Sequence, residues 1–252
     1  MKTVRIFISS PGDVQEERET AKQVIQGLRK RYAAYFELKP FLWEYLPLQA
    51  DVSFQQGVDM VLSTEHGIDV AVFILWSRLG SPLGALILKE DGSEYRSGTE
   101  REFDLMLKAR EASNGAKPHL LVYTRSDEAG FRERLRSSQP EEKSDLLKQK
   151  ELVESFIREE FHDGERGTNM RAYHTFNQAA SFSSRLRAHL QELLDSECEG
   201  LRADPVWDID EKGPPFRGLR VFEYEHAEVF FGREDEVVES RRSLQESAKN
   251  GC

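Results

Sequence analysis

The sequence predicts an α/β fold, a doubly wound sheet of about five mostly parallel strands with helices on both faces. Three observations predict it. Strand-like runs alternate with amphipathic stretches from the first residues onward. The run Val70-Ala71-Val72-Phe73-Ile74-Leu75 is apolar without interruption, as expected of a central strand covered on both sides. The opening, Val4-Arg5-Ile6-Phe7-Ile8-Ser9-Ser10-Pro11-Gly12-Asp13-Val14, ends at a small-residue turn and passes at once into the charged helical pattern Gln15-Glu16-Glu17-Arg18.

Taken in order, Val4–Ser9 reads as the first strand and Val14–Tyr32 as the helix that follows it. Phe36–Trp43 is the second strand, Ser53–Ser63 a helix, and Asp69–Trp76 the central strand. Helix Gly98–Ala112, strand Pro118–Thr124, helix Leu146–Phe161 and strand Met170–Thr175 continue the alternation. The last helix, Asn177–Ser196, carries a core-facing stripe of Phe182, Leu186, Leu190 and Leu193. Three segments interrupt this order. Gly80–Ser97 reads as a hairpin or flap, Arg125–Asp145 as a loop with a short helix, and 197–215 as a linker stiffened by Asp-Pro and Gly-Pro-Pro.

Composition narrows the function classes. A formal net charge of −10 over 252 residues disfavours non-specific binding to nucleic acid through phosphate neutralisation. The two cysteines, Cys198 and Cys252, are far apart and have no His or Cys at ligand spacing, so neither a disulfide framework nor a structural zinc site is expected. No metal site is expected elsewhere, and no Ser–His–Asp order, His-Glu-x-x-His or EF-hand loop occurs. No signal peptide or bilayer-length apolar run is present, and the expected location is cytoplasmic.

Two places carry candidate chemistry. After the first strand, Ser9, Ser10, Gly12 and Asp13 sit at a helix N-terminus, where outward-facing amides favour an anion or polar ligand. Asp13, with Glu16 three residues on, also fits a capping-box pattern, and both roles are compatible. After the flap, Gly98-Thr99-Glu100-Arg101-Glu102-Phe103 sets carboxylates in the first turn of a helix at the carboxyl edge of the sheet. Glu100 and Glu102 lie about 200° apart around the axis, so only one can face a cleft. Glu102 adjoins the buried side marked by Phe103 and Met106, with Thr99 one turn before it, and is the candidate inward group. Such a carboxylate suits stabilising an oxocarbenium ion or holding a ribose hydroxyl, although the helix dipole favours acidic residues there in any case. Arg78, after the central strand, suits either bidentate binding of a phosphate or an ion pair that holds the flap.

These motifs carry a resemblance. Phe7-Ile8-Ser9-Ser10-Pro11-Gly12-Asp13 resembles the start of a TIR-like domain, of the type found N-terminal to STAND-class nucleotide-binding ATPases. Trp76-Ser77-Arg78-Leu79-Gly80 is similar to the Arg-Tyr-Gly turn common in the same family, with Leu79 in place of the aromatic. Gly98-Thr99-x-x-Glu102 is similar to the motif of the related nucleoside deoxyribosyltransferases and departs from the usual TIR version, which has Trp-Cys before the glutamate. Pro214 to Phe222 and His226 to Glu234, with its Phe-Phe-Gly-Arg turn, resembles the entry segment of a STAND ATPase module.

The resemblance implies a TIR- or flavodoxin-like domain over 1–196, a linker over 197–215, and the start of a STAND module over 216–252. No Gly-x-x-x-x-Gly-Lys-Ser/Thr occurs, so ATP binding is expected only in a part of that module outside this sequence. It further implies an effector or sensor in defence or signalling that hydrolyses the N-glycosidic bond of NAD. Glu102 would be catalytic, and Ser9, Ser10, Gly12, Asp13, Arg78 and Thr99 would bind ligand. No cofactor is expected beyond NAD as substrate. The expected partners are that nucleotide and further copies of the domain, without membrane or nucleic acid. Two alternatives stay open: a non-catalytic self-association module, and a base-exchange enzyme of the deoxyribosyltransferase kind.

Overall fold

The computed structural model describes residues 2–42, 67–83, 87–164 and 166–199. The helix expected over Ser53–Ser63 and nearly all of the segment from 197 onward lie outside these. The chain divides into two compact units, Met1–Ser196 and Glu197–Cys252, and the sheet lies in the first.

Five strands form that sheet: β1 (Lys2–Ser9), β2 (Phe36–Phe41), β3 (Val70–Leu75), β4 (His119–Arg125) and, after a small antiparallel hairpin of β5 (His162–Asp163) and β6 (Thr168–Asn169), β7 (His174–Phe176). Their order is β2-β1-β3-β4-β7, and every neighbouring pair is parallel. Parallel neighbours need crossovers. Three of the helices that supply them are α1 (Gln15–Arg31), α2 (Gly98–Ala112) and α4 (Pro140–Phe161). A shorter helix, α3 (Glu128–Ser137), precedes α4, and α5 (Ala179–Glu199) follows β7.

The pleat sorts the strand residues between two cores, because successive side chains face opposite sides. Phe7, Ala71, Phe73, Leu75 and Val122 pack with Phe103 and Met106 of α2 and with Val153, Phe156 and Phe161 of α4. Phe103 stands edge-on to Phe73 and to Phe156, with ring centroids 5.3 Å apart in both pairs. Ile6, Ile8, Val72 and Ile74 are equally buried on alternate positions. On that second face Tyr123 meets Phe182 of α5 edge-on at 5.2 Å, and Tyr32 at the end of α1 donates its hydroxyl to Asp195 of α5. Both faces are covered, so β3 is buried at all six positions, as its unbroken apolar run requires.

Five expectations are corrected. The segment 125–145 is mostly helical. Asp127 caps α3 by accepting the Gly130 amide at 2.8 Å, and Pro140 opens α4 six residues before the expected start. The fifth strand of the sheet begins at His174 because the Met170 and Arg171 amides turn back to the Phe161 carbonyl. The buried stripe of α5 ends on Leu194 rather than Leu193, since a 3.6-residue period drifts over a long helix. That helix also runs to Glu199, past its expected end. Within the segment read as hairpin or flap, Leu88 and Glu94 form an antiparallel bridge, with Gly92 at φ +83° in the turn. No described helix is long and apolar enough to cross a membrane.

Candidate functional site

The strand order creates the site's position. From β1 the chain moves out to β2, then returns to the other flank of β1 as β3. The crossovers after β1 and β3 therefore diverge, which makes their carboxyl ends the topological switch point, the place where doubly wound sheets bind ligands.

The turn leaving β1 forms one side of this switch point. Ser9 and Ser10 are buried, Pro11 precedes a single 3-10 turn, Gly12–Val14, and α1 begins at Gln15. Arg18, itself buried, holds the turn from behind. Its Nε donates to Ser10 Oγ at 2.7 Å, and its Nη2 donates to the carbonyls of Ser10 and Pro11 at 2.5 and 3.3 Å. Asp13 does not cap the helix. Its Oδ2 accepts from the Ser77 amide at 2.9 Å and from Ser77 Oγ at 2.8 Å, tying the turn to the end of β3. The 3-10 turn is the reason: it places Asp13 inside helical backbone, two residues before α1 and one before its cap position Val14, while Ser77 presents two donors. Gly12 is exposed, and a side chain there would meet nothing within 4 Å, so this face of the turn is open.

The opposite side is the start of α2. Ser97 caps it by accepting the Glu100 amide. Thr99 packs close to Gly80, where a Cβ would stand only 3.1 Å from Thr99 Oγ1 and the φ of +118° already favours glycine. The two glutamates separate as the helical angle demands. Glu100 turns toward the segment before α2, meeting Lys89 Nζ at 2.8 Å, Arg96 Nη2 at 2.7 Å and the Arg96 amide at 2.6 Å. Burial pushes its carboxyl up, but the hydrogen bonds from Arg96 and Lys89 outweigh this and leave it below the usual carboxylate range. Glu102 turns inward, is 7 % exposed, and accepts from Ser9 Oγ at 2.5 Å across 93 positions of sequence.

Of the residues singled out in the sequence, Ser9 and Glu102 thus touch. Ser10, Gly12 and Asp13 belong to the same turn, and Thr99 lies one turn before Glu102 on α2. Arg78 is drawn elsewhere: its Nη1 pairs with Asp145 of α4 at 3.0 Å, and it holds that helix rather than the flap.

Several rim residues escaped sequence reading. Arg18 left a usable signal, since it occupies the apolar stripe Val14, Arg18, Ala21, Ile25, Leu28. A polar cluster beside the switch point left none. Arg125 at the end of β4 stacks 4.4 Å over the Trp76 ring while its Nη1 pairs with buried Glu17 at 3.0 Å. Among the described residues, four buried side-chain atoms without a hydrogen-bond partner gather here: Asp13 Oδ1, Glu17 Oε2, Trp76 Nε1 and Arg125 Nε. No three His, Cys, Asp or Glu side chains of the described residues cluster as a metal site would.

Fold and rim together define a doubly wound α/β protein with a buried serine–glutamate contact at its topological switch point. Neither a protein-family model nor a curated protein matches the chain.

Proposed function

We propose that the chain is a TIR-like effector or sensor domain of a STAND-type signalling protein and that it hydrolyses the N-glycosidic bond of NAD. The observation that carries this reading is the contact of Ser9 with Glu102 at the switch point, which sets a nearly buried carboxylate beside an open turn. In the proposed reaction the bond between ribose C1′ and the nicotinamide nitrogen breaks, and its electron pair leaves with nicotinamide. Positive charge develops on the ribose, and Glu102 stabilises it. A carboxylate shielded from water does this far more strongly than an exposed one. Water then adds to C1′ and releases a proton, giving ADP-ribose. The open backbone at Gly12 and the first turn of α1 suit the pyrophosphate or its neighbouring ribose. The unpaired polar atoms of Asp13, Glu17, Trp76 and Arg125 support a polar ligand nearby, because interiors pair nearly all such groups.

The test is nicotinamide release from NAD by the full-length assembled protein, with Glu102→Gln beside it. We expect Glu102→Gln to lose at least about 100-fold in rate, the scale of removing one electrostatic stabiliser. Equal rates would remove Glu102 from the mechanism.

A second reading, a self-association module without catalysis, draws on the same residue: at 7 % exposure and closed by Ser9, Glu102 also serves as an internal clip. Calorimetric titration with NAD and with ADP-ribose separates the two, since a clip alone gives no binding heat. Product analysis with a nucleoside and a free base separates hydrolysis from base exchange.

A further inference from the structure

We propose that Ser9 is a positioning residue that holds the Glu102 carboxylate in its reactive orientation, rather than a ligand-binding group. The inference rests on the function proposed above and assigns Ser9 a different role within it.

Three observations carry it. The Ser9 hydroxyl reaches Glu102 Oε2 at 2.5 Å, a length typical of an O–H donor to an ionised oxygen. Ser9 is 1 % exposed, so its side chain presents no surface to a ligand. Its backbone is also fixed from two directions. Through Ser9↔Phe73 it lies in register with the central strand, and the next residues are gripped by the buried Arg18 guanidinium at Ser10 Oγ, Ser10 O and Pro11 O. A donor on so rigid a mount sets the carboxylate's torsion instead of following it. The chain of support runs from α1 through Arg18 to the β1 turn, and through Ser9 to α2.

A hydroxyl in this place does two things that packing alone does not. It fixes which oxygen of Glu102 is engaged, and it favours the ionised form, because a hydrogen bond to the charged state stabilises that state. Ser9→Ala removes both effects with little change in volume. Ser9→Thr keeps the hydroxyl, and Ser9→Cys keeps the shape with a weak donor.

The full-length protein is assayed for nicotinamide release across pH, and the Glu102 carboxyl is titrated by 13C NMR in the wild type and in each variant. For Ser9→Ala we expect kcat to fall about 10-fold or more, with KM within about twofold, as for loss of alignment. We also expect the acid limb of the rate profile and the carboxyl titration to move together to higher pH by roughly one unit. Ser9→Thr restores both, and Ser9→Cys lies between; should Ser9→Ala fail to fold, Ser9→Cys takes its place. A Glu102 titration that is identical in the wild type and in Ser9→Ala or Ser9→Cys overturns the proposal. So does a Ser9→Thr variant as impaired as Ser9→Ala. If the wild type releases no nicotinamide while the titration still shifts, the hydrolase reading fails and the hold of Ser9 on Glu102 stands.

Discussion

Asp13 lies in a turn where one side chain decides how two strands' ends are joined. With the carboxylate bound to Ser77 N–H and Oγ, the β1 turn is pinned to β3 directly, and α1 starts without a side-chain cap. Ser77 is fully buried, so Asp13→Ala would strand two donors in the interior. We expect it to cost about 2 kcal/mol, lowering Tm by roughly 4–8 °C for a domain of this size. Asp13→Asn, which retains one acceptor oxygen, should lie between. A thermal melt of Asp13→Ala that matches the wild type would show that the contact contributes nothing. The same residue marks a limit of sequence reading. Asp13 and Glu16 carry a capping-box spacing, and only the three-dimensional approach of Ser77, 64 positions away, redirects the carboxylate.

Among the elements, α2 shows what local signals can and cannot specify. Its bounds were legible because a serine cap at Ser97 and the Ser113-Asn114-Gly115 exit, with Asn114 and Gly115 both at positive φ, are written in adjacent residues. That the two glutamates part company was legible too, since the helical angle sends Glu100 and Glu102 to different surroundings, both of them buried. What Glu100 does there was not legible. It anchors the hairpin segment before the helix through Lys89 and Arg96, helped by Tyr95, whose hydroxyl donates to Asp104, and by Lys108, which bridges Glu90 and Asp104. Such partners come together only once the hairpin folds back. Glu100 is 3 % exposed while Lys89 and Arg96 keep part of their solvent. Glu100→Gln is therefore expected to cost about 3 kcal/mol, the lower end for breaking a buried pair, and to open the hairpin first. Amide exchange of Lys89, Gly92 and Arg96 rising well above that of β3 would report this. Uniform change across the domain would contradict it. The start of α4 shows the opposite failure: Ser-Ser-Gln-Pro at 137–140 reads as loop, although proline is favoured at a helix's first position and Glu142 turns back to the Gln139 amide at 3.3 Å.

The unit Met1–Ser196 is built on a sheet whose central strand is buried on both faces, and its shortest strand is the far edge, where β7 has only three residues. There the docking of β7 and α5 on β4 depends on a stack of rings. His174 of β7 and His189 of α5 lie 4.3 Å apart between centroids, His189 Nδ1 is 2.7 Å from the buried Tyr123 hydroxyl, and Arg185 of α5 donates to the Thr175 carbonyl alongside. Burial first, then the positive neighbours His189 and Arg185, hold the His174 imidazole below its ordinary value of 6.5. The unfolded chain therefore takes up this proton before the folded one does as pH falls. Stability from His174 is complete above about 6.5 and is lost as pH drops through that value toward the lowered native one. Glu100, also held below its ordinary 4.5, contributes stability that is complete above that value and lost only at lower pH, so its loss sets in at lower pH than that of His174. Denaturant midpoints measured between pH 8 and pH 5 should fall with pH in the wild type and fall less in His174→Gln. Amide protection at Phe176 and along the first turns of α5 should fade before that of β1 and β3. An unchanged pH slope in His174→Gln would place the acid sensitivity elsewhere, whereas a flattened one identifies this edge as where the domain opens first, on the far side of the sheet from β2 and two strands from the switch point between β1 and β3.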